Sequence, residues 1–284
     1  MGIERVGIVG GGQMGAGIAE VCAKAGIDVT VHEITDVAAA ASRARIEKSL
    51  AKALERGKLE ESARDEALGR LSFGTALGVM HDRQLVVEAV VENEELKQSI
   101  FRQLDDTVSA EDAILASNTS SIPIVRIAQA TERPESVVGM HFFNPATVMP
   151  LVEIVRSVVS SDSAVERAAS FASDVLGKTV VHAKDRAGFI VNMLLCPYIA
   201  DAIRMYEEGF ASKEDIDAGM VNGAAYPMGP LTLSDLIGND TMLAVMESLF
   251  EEFRQPRFAP PPLLNRMVEA GQLGRKTGRG FYEY

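Results

Sequence analysis

Arg5-Val-Gly-Ile-Val-Gly-Gly-Gly-Gln-Met-Gly-Ala-Gly-Ile-Ala-Glu20 reads as strand, glycine turn and helix in one run. Val6, Ile8 and Val9 make a short apolar strand, and Gly10, Gly12 and Gly15 follow it as G-x-G-x-x-G, with Gly11, Gln13 and Met14 between them. The three glycines serve different ends. Gly10 allows the tight turn, Gly12 leaves no side chain against a pyrophosphate, and Gly15 lets the helix pack close to the strand. The helix continues through Ile18, Ala19, Val21, Cys22 and Ala25 to Gly26. The unpaired N–H groups of its first turn face the glycine turn and favour an anion there. A second strand spans 27–31, and Glu33 stands eighteen residues past Gly15. That is close to the spacing of about 20 at which an acid binds a ribose 2′-hydroxyl. Glu33 would repel a 2′-phosphate, and Ile34, Thr35 and Asp36 supply no cation for one, so the expected dinucleotide is NAD.

Composition narrows the classes. A chain of 284 residues suggests two domains, and 47% apolar content with a mean hydropathy of +0.08 describes a soluble globular protein. The net charge of −12 argues against nucleic-acid binding, so an anionic substrate would need a local basic site. Cys22 and Cys196 lie in apolar helical contexts and read as buried reduced thiols, with no metal site expected. The first strand begins too early to leave space for a signal peptide. The most apolar stretch, 188–203, is interrupted by Asn192, Pro197 and Asp201, so no membrane span is expected and the cytoplasm is the expected compartment.

After Glu33 the pattern departs from a simple βαβ unit. A long helix over 37–56, closed by Gly57, has Ile46, Leu50, Ala53 and Leu54 on its apolar face. Arg45, Lys48, Lys52 and Arg56 make a basic stripe beside it, with Ser49 on the same side. The stripe reads either as a solvated face paired with Glu47 and Glu55 or as a phosphate-binding face. A shorter helix over 62–68 returns as a hairpin. Strands follow at 71–73, 85–92 and 113–116, with a helix over 94–108. The third strand ends in Ser117-Asn-Thr-Ser-Ser121, at the carboxyl end where open α/β sheets bind ligands. The same serines could cap a helix starting near Pro123.

Strands at 137–141 and 151–155 are separated by nine residues, too few for a parallel crossover, so they are expected to pair antiparallel. His141 and Glu153 would then face each other. A carboxylate beside a histidine fixes its tautomer and stabilises the imidazolium, as removal of a hydroxyl proton during hydride transfer requires. A purely structural pair is the alternative. His32, His81 and His182 have no comparable acid and read as structural or exposed. A helix over 163–176 and a strand over 179–181 complete the first domain, and the pattern beyond is helical. The expected architecture is α/β: a Rossmann-type, mostly parallel sheet with an inserted helical hairpin over 1–185, then an all-helical domain over 186–284.

Val6-Gly-Ile-Val-Gly-Gly-Gly-Gln-Met-Gly15, Ser117-Asn-Thr-Ser-Ser121, His141-Phe-Phe-Asn-Pro145, Gly188-Phe-Ile-Val-Asn192 and Gly274-Arg-Lys-Thr-Gly-Arg-Gly-Phe-Tyr282 occur in that order. With them the chain resembles the 3-hydroxyacyl-CoA dehydrogenases over essentially its whole length, the bacterial 3-hydroxybutyryl-CoA dehydrogenases most of all. The resemblance implies reversible hydride transfer between L-3-hydroxyacyl-CoA, short-chain in particular, and NAD, in fatty-acid or butanoate metabolism. It implies His141 as base, Glu153 as its orienting acid, and Ser120 and Asn192 as contacts of the substrate's 3-oxygen. Ser120 is also implied beside the cofactor, with Glu92, Lys97, Asn144 and Lys276. Ser49, Lys52 and Arg56 become the expected coenzyme A contacts, and a homodimer through the helical domain the expected assembly. Glu33 stands where relatives more often carry aspartate, and Met193 where many carry arginine. Two other readings keep the fold: a dehydrogenase of a free sugar acid, of the gulonate type, and a non-catalytic NAD-binding protein.

Overall fold

A computed structural model describes residues 2–284 and divides them into two compact units, one ending at Asp185 and one spanning Arg186–Tyr284. The first opens with β1 (Arg5–Val9), α1 (Gln13–Lys24) and β2 (Asp28–His32), then the helical hairpin of α2 (Asp36–Glu55) and α3 (Glu61–Gly69), then β3 (Leu71–Gly74). It continues through β4 (Leu85–Glu88), α4 (Glu94–Thr107), β5 (Ile114–Ser117), α5 (Ile124–Ala128), β6 (Val137–Phe142), β7 (Leu151–Arg156), α6 (Asp162–Ser170) and β8 (Thr179–Lys184).

All eight strands form one sheet in the order β3-β2-β1-β4-β5-β6-β7-β8. The strands from β1 to β6 run parallel, β7 pairs antiparallel with β6, and β8 parallel with β7. Covered on both faces, β4, β5 and β6 are buried along their whole length, which is why their sequences are near-continuous apolar runs. The order reverses between β1 and β4, where an open α/β sheet leaves a crevice beyond its carboxyl ends. Thr35 caps α2 by accepting from the Ala38 N–H, and Ile46 and Leu50 bury the inner face of that helix.

Three local expectations are corrected. The fourth strand stops at Glu88, not 92, because the Glu88 carboxylate accepts from the Val90 N–H at 2.7 Å and turns the chain out of the ladder. The serine cluster does not cap α5; the Asp185 carboxylate does, accepting from the N–H groups of Ile124 (2.7 Å) and Val125 (2.8 Å). The helix expected over 163–176 is α-helical only over Asp162–Ser170 and widens to a π turn over Phe171–Val175.

The second unit contains α7 (Val191–Glu207), α8 (Lys213–Ala224), α9 (Pro230–Ile237), α10 (Asn239–Phe253) and α11 (Pro262–Glu269) around a core of its own that includes Ile199, Ile203, Leu231, Met246 and Leu249. Its tail carries one short 3-10 turn over Arg275–Thr277 and two bridges, Gly274 with Arg279 and Arg279 with Glu283. No described helix is long and apolar enough to cross a membrane. Cys22 and Cys196 are free and buried, and burial pushes each thiol up to about 12.

Candidate active site

Because β1, β4, β5 and β6 are parallel, their carboxyl ends share one edge of the sheet. The glycine turn, Glu92, Ser117–Ser121 and His141 all lie along it. Gly10 adopts a φ of +91°, which side chains rarely tolerate, and a Cβ on Gly15 would lie 1.7 Å from the Gly10 carbonyl oxygen. Nothing lies within 4 Å of a Cβ built on Gly12, and no side chain caps α1. The turn is therefore closed where strand and helix meet and open at the helix N-terminus, as a pyrophosphate requires. Glu33 accepts from the Gly11 N–H at 2.7 Å, tying the acid after β2 to that turn. Gln13 donates to the Asn144 side chain at 3.1 Å, joining two more of the expected cofactor residues, and Met14 packs against the apolar core.

His141 and Glu153 occupy opposed positions of the β6–β7 ladder, where antiparallel partners bring side chains together on one face. His141 Nδ1 lies 2.7 Å from Glu153 Oε2, with Glu153 fully buried and the imidazole 8% exposed. A carboxylate only accepts, so Nδ1 is the donor in this hydrogen bond, which fixes the orientation of the ring. The Phe143 ring lies 4.5 Å from the imidazole, centroid to centroid.

Ser120 sits in the turn after β5, and its N–H donates to Glu92 at 3.2 Å. Glu92 also accepts from the Thr119 and Ser121 hydroxyls and the Ser121 N–H. Burial pushes the Glu92 carboxyl up, but the Lys97 charge and these hydroxyls outweigh it and hold it below the usual carboxylate range. Lys97 is 1% exposed, and its ammonium is paired with Glu88 at 2.6 Å and with Glu92 at 3.3 Å, which sets it directly behind the Glu92 carboxylate. Glu88 was missed by the motif reading, although a lone acid inside Val86-Val-Glu-Ala-Val90 already signals a buried pair. Asn118 was missed too; its side chain accepts from the Phe142 N–H at 2.9 Å, fastening the serine turn beside His141.

The stripe on α2 divides. Arg45 donates to the Gly11 carbonyl at 3.3 Å and so belongs to the glycine turn. Glu47 pairs with Arg43, not with the stripe, and Lys48, Lys52 and Arg56 are exposed and form no ion pair among the described residues. Ser49 lines a cavity of about 180 Å³ with Gln13, Glu20, Arg45 and Asn144. Two further expected residues lie in the second unit: Asn192 in the first turn of α7, and Lys276, whose ammonium contacts Asp240 at 2.6 Å. Among the described residues no group of three His, Cys, Asp or Glu side chains could hold a metal ion.

Residues 5–186 match the 3-hydroxyacyl-CoA dehydrogenase NAD binding domain, and residues 188–284 match the C-terminal domain of the same enzymes. The chain is 57% identical over 282 residues to the 3-hydroxybutyryl-CoA dehydrogenase of Mycobacterium tuberculosis, covering 99% of both. Its structure is similar to that of M. tuberculosis FadB2, with a TM-score of 0.99, 57% identity and full coverage of each chain. It is also similar to the (S)-3-hydroxybutyryl-CoA dehydrogenase PaaH1 of Ralstonia eutropha, with a TM-score of 0.94, 46% identity and 99% of each chain covered. With both family domains matched end to end and the glycine turn shaped for NAD, the chain belongs to the 3-hydroxyacyl-CoA dehydrogenase family.

Proposed function

We propose that the chain is an NAD-dependent oxidoreductase interconverting short-chain L-3-hydroxyacyl-CoA and its 3-keto form, with 3-hydroxybutyryl-CoA and acetoacetyl-CoA as the pair. The observation that carries this reading is the buried 2.7 Å hydrogen bond between His141 and Glu153 on the sheet edge that also bears the glycine turn. His141 Nε2 takes the hydroxyl proton in oxidation and returns it in reduction, and Glu153 stabilises the imidazolium in between. Ser120 and Asn192 hold the 3-oxygen as its charge develops. Bound NAD supplies the hydride acceptor, and NADH the donor, for the substrate's C3. Gly10 to Gly15 and Glu33 hold the dinucleotide, with Glu92, Lys97, Ser120, Asn144 and Lys276 as further contacts.

Lys52 and Arg56, free of ion pairs among the described residues, are assigned with Ser49 to coenzyme A. In a chain of net charge −12 this cationic strip supports a phosphate-bearing substrate over a free sugar acid. The first unit is assigned to NAD and the second to substrate closure and homodimer formation, in a cytoplasmic enzyme of fatty-acid β-oxidation or butanoate metabolism.

The deciding experiment compares NADH oxidation with acetoacetyl-CoA and with free acetoacetate, in the parent enzyme and in Lys52→Ala/Arg56→Ala. Turnover should require the thioester, and the double variant should raise KM for acetoacetyl-CoA about tenfold, or roughly 1.4 kcal/mol, with kcat retained. Equal turnover of free acetoacetate, or an unchanged KM, would overturn the substrate assignment.

A further inference from the structure

The helix α2 meets the glycine turn at Gly11. A Cβ on Gly11 would collide with the Ser42 hydroxyl, and one turn further along the helix Arg45 donates to the Gly11 carbonyl at 3.3 Å. The Gly11 N–H is already taken by Glu33, so this residue of the turn is clasped at both its N–H and its C=O. One hydrogen bond to a carbonyl leaves most of the guanidinium's donors and its whole charge unspent. Arg45 has no carboxylate partner among the described residues. Glu20, the acid that lines the same cavity, lies 4.0 Å from the Lys24 ammonium instead.

That cavity joins the two sets of assigned contacts: Gln13 and Asn144 come from the dinucleotide set and Ser49 from the coenzyme A set, with Arg45 between them. Lys52 lies seven residues beyond Arg45 on α2, about two turns or roughly 10 Å of helix. Both ligands carry a diphosphate, and the chain that must hold them has a net charge of −12. Two diphosphates of about two charges each, roughly 10 Å apart in water at about 20 mM ionic strength, weaken each other's binding about fivefold. A cation without a carboxylate of its own, placed between them, cancels that opposition.

We propose that Arg45 is a phosphate-neutralising residue shared by the two ligands: its guanidinium compensates the dinucleotide's pyrophosphate and the coenzyme A diphosphate together, so that both bind side by side without opposing each other. The inference rests on Lys52 and Arg56 being the coenzyme A contacts assigned above. NADH is titrated by fluorescence at about 20 mM ionic strength, with and without saturating free coenzyme A, in the parent enzyme, Arg45→Met and Arg45→Lys. In the parent, coenzyme A should move the NADH Kd by less than about twofold. In Arg45→Met it should raise that Kd about fivefold, and NADH should weaken coenzyme A by the same factor, because coupling between two ligands is reciprocal. Raising the salt to about 0.5 M should abolish this antagonism. Arg45→Lys, which keeps the charge, should not show it. An equal effect of coenzyme A in the parent and in Arg45→Met, an antagonism indifferent to salt, or one that Arg45→Lys shares in full would each overturn the inference and leave Arg45 as a tie between α2 and the turn. Coenzyme A affinity is also measured without NADH. If Lys52→Ala/Arg56→Ala then binds coenzyme A as tightly as the parent, the substrate assignment itself fails, which separates the two failures.

Discussion

Strand register sets Glu153 against His141, and removing this proposed base separates proton transfer from cofactor binding. His141→Gln removes the proposed base and should lower kcat by about 10²- to 10⁴-fold. It leaves the glycine turn untouched, so NADH binding by fluorescence should persist; normal turnover would remove the base assignment. Glu20 gives a second residue-scale prediction of a different kind. It lies on α1, 2% exposed, and burial raises its carboxyl above the ordinary 4.5, against the Ser49 hydroxyl and the Lys24 ammonium at 4.0 Å. A raised value means that the folded state holds this proton more tightly than the unfolded chain. The folded state therefore loses stability as pH rises from 4.5 through the raised value. Glu20→Gln should leave the melting temperature little changed at pH 4 and raise it at pH 8. A shift of the same size at both values would show that its burial is already compensated.

The strand–turn–helix element permits a sharper test, because its glycines face different surroundings. Gly12→Ala adds a methyl group to open space and should melt like the parent, while the pyrophosphate path is obstructed and NADH affinity falls. In Gly15→Ala the methyl group meets a carbonyl oxygen of the turn itself, so α1 must back away from β1 and both stability and NADH affinity should drop. If Gly12→Ala binds NADH normally, the dinucleotide does not approach that backbone. Elements of this kind were legible because local signals decide them: the glycine spacing, the apolar runs of the parallel strands, and a connection too short for any pairing of β6 and β7 but an antiparallel one. What could not be read was set by side chains reaching backbone groups, from a distance or beside them. Asp185 caps α5 from sixty residues away, Glu88 ends β4 with its own side chain, and Arg45 leaves a regular basic stripe for the Gly11 carbonyl. The facing of His141 and Glu153 followed from register alone, whereas the burial of Lys97 depends on how α4 covers the sheet, which no spacing rule reports.

At the scale of the whole molecule, each unit has its own apolar core, one built from residues between Ile3 and Val180 and the other from residues between Ala187 and Tyr282. Separate cores are what allow a segment to fold alone. A fragment of residues 1–185 should therefore fold and bind NADH. The cut has to follow Asp185, since its carboxylate caps α5. Asp185→Ala within 1–185 should lose about 0.5–2 kcal/mol of stability by urea titration. Turnover is a different matter: Asn192 and Lys276 lie beyond the cut, so the fragment should bind NADH without reducing acetoacetyl-CoA. If the helical unit carries the dimer interface, sedimentation should find the full chain dimeric and the fragment monomeric. A fragment that sediments as a dimer would move that interface to the sheet unit, and one that turns over would remove Asn192 from the proposed catalytic set.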